Sequence, residues 1–184
     1  RQYVVENFPE IADDDQKVNT MVNCLLMSTA DVAYGQNGLP YAVRKQGAGL
    51  ANLDNALESP AYVTVKDKDG NVMDKAKLEL GDDPDKTGVY EMTFTINNVG
   101  DDDVSYDLAA FVLTEGVSDT KTAAGETTVT EEAYSLAGSK IYLMSIDGGT
   151  HSGATVEVEA GKSAEVTVRI ELSDNDKKYL DESF

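Results

Sequence analysis

The sequence predicts a mainly β fold: an antiparallel β-sandwich preceded by a short helical segment. Three observations lead to it. From Tyr62 onward apolar and polar residues alternate with a period of two, the pattern of strands with one buried face. Turn-forming residues punctuate these runs at the short intervals of a two-sheet sandwich. Ahead of them, the opening residues carry apolar positions at helical spacing.

The helical segment comes first. Residues 1–8 read as the tail of a helix stopped at Pro9, a chain that enters in mid-turn as a cut one would. Val18, Met21, Val22, Leu25 and Leu26 then fall on one face of a second helix. Asp13, Asp14 and Asp15 precede it, where carboxylates cap free N–H groups and favour the positive end of the dipole. The same triple could also be read as a calcium site. Asn37-Gly38 marks a tight turn, and Gly47-Ala48-Gly49 permits close backbone approach. That glycine pair is not a phosphate loop, because the preceding strand and the Lys-Ser/Thr step are missing. Residues 52–57 fit one or two helical turns before Ser59-Pro60 ends them.

The strands follow. Tyr90, Met92, Phe94 and Ile96 alternate with Glu91, Thr93, Thr95 and Asn97. Val156 and Val158 alternate with Glu157 and Glu159, and Val166, Val168, Ile170 and Leu172 with Glu165, Thr167, Arg169 and Glu171. Turns are expected at Asp69-Gly70, residues 81–84 and 98–100, Gly125, Gly138 and residues 147–149. Residues 104–113 are apolar nearly throughout, which predicts a central strand. The change of period sets a boundary between residues 1–58 and 59–184.

The formal net charge of −19 repels phosphate backbones and anionic lipids, which argues against nucleic acid and acidic membranes as partners. No apolar run reaches the ~18 residues of a membrane span. Cys24 is alone and lies on the apolar stripe of the second helix, the place of an inert buried thiol.

Two segments carry a family resemblance. Leu26-Met27-Ser28-Thr29-Ala30 at a helix end, followed by Gln46-Gly47-Ala48-Gly49-Leu50 running into a short helical turn, resembles the closing segment of subtilisin-like serine proteases. Residues 90–99 and 104–113, a hairpin-like pair joined by residues 100–103, and the ending 171–181 are similar to the hairpin-rich core and the close of the fibronectin type III-like domain that follows the catalytic domain in large subtilases. The resemblance implies that residues 1–58 are a helical remnant of an α/β protease domain, and that residues 59–184 are a fibronectin III-like accessory sandwich lacking its last strand. It further implies an exported or cell-wall-associated parent that hydrolyses peptide bonds in protein substrates through a Ser-His-Asp mechanism.

No catalytic residue is expected within this chain. The family's GTSMAxP-type serine motif is absent, and His151 is the only histidine. Asp147, His151 and Ser152 are too close in sequence to assemble a triad. One His and one Cys make zinc improbable chemistry. Calcium is the cofactor left open, at Asp82, Asp83 and Asp85 or at Asp101, Asp102 and Asp103, where oxygen ligands crowd into loops. Tyr34, Tyr41 and Tyr62 are candidates for a binding surface. The competing reading from another class is a stand-alone adhesive surface module, and a third is a protease homologue that has lost its triad. Helices cut from a larger domain should either repack on the sandwich or drive self-association.

Overall fold

The computed structural model describes residues 1–121, 123–125, 127–150 and 153–183. Four helices, α1 (Gln2–Asn7), α2 (Asp15–Ser28), α3 (Val43–Gln46) and α4 (Leu53–Glu58), precede the strands. The strands are β1 (Ala61–Thr64), β2 (Val89–Asn98), β3 (Val104–Asp107), β4 (Leu113–Lys121), β5 (Thr127–Ser135), β6 (Lys140–Ile146), β7 (Gly149–Thr150), β8 (Thr155–Val158) and β9 (Ser163–Glu171). A last helix, α5 (Asp174–Ser183), closes the described chain.

The alternating sequences form the sandwich. One sheet has the order β1-β2-β9-β6-β7, all neighbours antiparallel. Its inner face, from Met92, Phe94, Ile96, Val166, Val168 and Leu143, packs on Val104, Tyr106, Val156 and Val158 of the two-stranded sheet β3-β8. Val156 and Val166 are fully buried, and each such side chain contributes about 1.5–3 kcal/mol of burial. The outer positions are polar, as at Thr93 and Thr167, whose hydroxyls meet at 3.0 Å.

Two expectations are corrected here. β2 and β3 do not form a hairpin. Residues 99–103 instead carry the chain from one sheet to the other. Residues 104–113 are not a central strand either: β3 ends at Asp107 and pairs with β8 alone among the described residues, and Phe111 is 54% exposed. An apolar run cannot distinguish a central strand from a crossing segment that packs one edge at a time.

The helices have packed onto the sandwich. Val4, Val18, Met21 and Leu25 form a second core, with Tyr62 of β1 and Phe8 against it. The apolar stripe of α2 is thereby covered within the chain. Asp14 caps α2, its side chain accepting from the N–H groups of Gln16 and Lys17. At the other end the Ser28 hydroxyl accepts the N–H of Val63 at 2.7 Å and donates to the Cys24 carbonyl. The last turn of α2 is thus hydrogen-bonded directly into the first strand.

Candidate functional site

The region that organises most of the unusual residues lies between α2 and β1. Asp31 and Leu50 exchange backbone hydrogen bonds of 2.9 and 2.8 Å, closing a loop that contains Tyr34, Tyr41 and α3. Gly49 sits at φ +131°, and a Cβ there would collide with the Asp31 carbonyl. Gln46 reaches across the loop. Its side chain accepts the Ala33 N–H at 2.8 Å and donates to the Tyr41 carbonyl at 2.6 Å. The Asp31 carboxylate receives the side-chain amides of Asn52 and Asn55, while Asn52 caps α4. The Gln-Gly-Ala-Gly-Leu run is therefore a structural clasp, in which the Gln46 side chain and the N–H groups of Gly47, Gly49 and Leu50 all have backbone partners.

This loop grips the β4–β5 hairpin. The Asn37 side chain donates to the Ala133 carbonyl at 2.8 Å. The Arg44 guanidinium forks onto the Glu115 carboxylate, its Nε at 2.9 Å, and Lys45 joins at 3.6 Å. Glu115 is only 12% exposed, so these bonds are partly shielded from water. On the opposite face of the hairpin Tyr134 stacks on Tyr179 of α5, centroids 4.3 Å apart. A cleft of about 250 Å³, lined by Leu39, Tyr41, Asn37, Glu132 and Ala133, opens where loop and hairpin meet.

The sequence-nominated residues separate clearly. Tyr34 and Tyr41 are 56% and 43% exposed on the clasp loop. Tyr62 is instead packed between α2 and the sheet, and burial raises the pKa of its hydroxyl. Cys24 is fully buried, and desolvation pushes its thiol up, so it stays protonated and inert. Asp147 uses its carboxylate to accept the Glu165 N–H at 2.7 Å. His151 and Ser152 lie outside the described residues.

In each acidic loop one carboxylate, Asp83 or Asp103, is engaged by backbone N–H groups. Asp83 accepts from the N–H groups of Thr87 and Gly88 at 3.0 and 2.7 Å, and these bonds, Gly88 first, hold its carboxyl below the usual range. Asp103 accepts the Ala160 N–H, and the Asp102 carbonyl receives the Asn98 side chain. Asp14 is likewise lowered, chiefly by the Lys17 N–H. Among the described residues no three His, Cys, Asp or Glu side chains converge on a metal-sized position. What the region can do chemically is bind and brace, through exposed tyrosines, amides and one open carboxylate.

The family model of the Fn3-like domain matches residues 78–184. The chain belongs to the Fn3-like domain family. The Fn3-like match spans the strands from β2 onward together with α5. β1 lies ahead of the match yet pairs with β2 along four residues, so the Fn3-like sheet includes it. A comparison with curated proteins found no match.

Sequence reasoning missed Glu115 and Asn37. Each is an ordinary polar residue until the fold brings a partner from 71 or 96 positions away.

Proposed function

We propose that this chain is the closing helical segment of an exported subtilisin-like serine endopeptidase, joined to its Fn3-like accessory sandwich and not itself catalytic. The parent would cleave protein substrates outside the cell or at the cell wall. The sandwich would brace the peptidase or help present substrate to it. The observation that carries this reading is the join between α2 and β1. Helix α2, in the segment resembling a protease terminus, ends in Ser28, whose hydroxyl accepts the first strand's N–H, and its stripe is shared with Tyr62. A rigid join of that kind suits an accessory domain that must hold a fixed pose on its neighbour.

The clasp supports the same reading. Residues 46–50 resemble the family motif, and Gln46, Gly49 and Leu50 each have a geometric duty at the turn, which accounts for those motif positions in physical terms.

The test is covalent labelling by a serine-directed fluorophosphonate. The 184-residue chain should not react. The gene product extended upstream of Arg1 should label at one serine within a Gly-Thr-Ser-Met-Ala-like motif. An upstream sequence without such a motif would sink the reading and favour a stand-alone adhesive module.

A further inference from the structure

The geometry points to the outer edge of β5 as a strand-addition site for an extended, cationic polypeptide segment, with the adjoining cleft taking a basic side chain. This holds whether the parent is a peptidase or an adhesive protein, because it rests only on the hairpin and the loop and helix that hold it.

The phase of the ladder is fixed by one bond. The Leu136 N–H donates to the Val112 carbonyl, so 112 and 136 form a hydrogen-bonded pair. In an antiparallel ladder such pairs recur every second residue. With the observed register, Tyr134, Glu132 and Thr130 then bond inward to β4, and the backbone groups of Ala133, Glu131 and Val129 point outward. Among the described residues β5 pairs with β4 and no other strand. At Ala133 the outward carbonyl already receives the Asn37 amide, a side chain standing where the first residue of an added strand would bond. The rest of the edge continues from the cleft that Asn37, Tyr41 and Glu132 line.

The hairpin is also preorganised. Its root is held on one face by Arg44 and Lys45 through Glu115, and on the other by Tyr179 through Tyr134. A template that does not have to be ordered on binding loses less entropy to the complex. Strand addition takes its affinity from main-chain bonds and its selectivity from pockets for alternate side chains.

Charge selects the occupant. Apart from Glu115, which Arg44 and Lys45 already engage, residues 113–135 carry Asp119, Glu126, Glu131 and Glu132 against Lys121 as the only base. A second copy of a chain with net charge −19 would be repelled from this edge. An arginine- or lysine-bearing strand would be drawn to it, and the cleft offers that side chain a carboxylate, an amide and an aromatic ring.

The test titrates the full, isotope-labelled chain with a peptide of about ten residues alternating arginine with valine, long enough to cover one strand edge. Amide shifts should concentrate at residues 129–133 and 36–41. Replacing arginine by glutamate, or N-methylating the amides that would face the edge, should each weaken binding about tenfold or more. Val129→Pro removes an outward N–H without touching the β4 ladder and should weaken binding likewise. Glu132→Lys should weaken the arginine peptide and improve the glutamate one. Equal affinity for the N-methylated peptide, shifts spread over other faces, or no binding at all would overturn the inference. The N-methylation arm needs no variant to fold.

Discussion

Asn98 stands 2% exposed at the end of β2, and its side-chain amide donates to the Val158 carbonyl at 3.0 Å. The same group reaches the Asp102 carbonyl at 2.9 Å, while its oxygen accepts the Gly100 N–H. One residue thus ties the crossing turn to the end of β8 and joins the two sheets at that corner.

Asn98→Ala should therefore cost about 2–3 kcal/mol, since it strands buried carbonyls as well as losing bonds. Asn98→Asp keeps the acceptor for Gly100 but sets a carboxylate against carbonyl oxygens. Its deficit should shrink on acidification, as the carboxyl becomes a donor. Urea unfolding across pH reads both, and a pH-independent deficit for the aspartate variant would contradict the assigned donor role.

Gly49 and Gly47 provide an internal comparison within the clasp. Gly49→Ala combines a disfavoured φ with a clash into the Asp31 backbone, whereas a Cβ at Gly47 (φ +64°) meets nothing within 4 Å. Gly47→Ala should cost about 1 kcal/mol and Gly49→Ala at least ~2 kcal/mol more. Hydrogen exchange at the Asp31 and Leu50 amides should accelerate only in the second. Equal costs would mean that the loop closes some other way.

Acid should loosen the loop around Asp83. Its folded pKa lies below its unfolded one, so the stabilisation is whole above the ordinary carboxylate range. That stabilisation is lost as pH falls through the depressed value. Asp83→Ala should flatten part of the acid limb of the stability curve, and the Gly88 amide should lose its exchange protection at every pH. An unchanged acid limb would assign the carboxylate no role in holding residues 83–88.

Glu115→Ala should release the root of the hairpin. Arg44 is 72% exposed, which limits the global cost to about 1 kcal/mol. The local effect is larger: exchange protection in β4 and β5 should fall while β2 and β9 keep theirs. Glu115→Gln, which retains hydrogen-bonding capacity without charge, should fall between the two. Uniform loss across both sheets would show that the hairpin is not separately held.

Much of the sandwich was legible from residue order. Alternation at residues 90–97 and 165–172 located the inner faces, because a half-buried strand must show its period to water on one side. Asp14 was legible as a cap for the same local reason. Residues 104–113 misled because an apolar run need not be buried: Ser105 and Asp107 of β3 are exposed, and Phe111 beyond it is 54% exposed. Tyr62 misled because a tyrosine's surroundings come from α2, not from its own strand. The grip on β4–β5 was invisible, since Asn37, Glu115 and Tyr134 acquire their roles only from distant partners.

The last strand in sequence, β9, lies at the centre of its sheet between β2 and β6. Val89 meets Glu171, so the pairing must bridge most of the domain's length. During synthesis, then, β2 and β6 wait without their shared neighbour until residues 163–171 have emerged. Such late, non-local closure slows folding and delays the sheet's cooperativity until that ninth strand is available. A nascent chain stalled before Ser163 should remain open to proteases and chaperones, and adding only the next nine residues should change that abruptly.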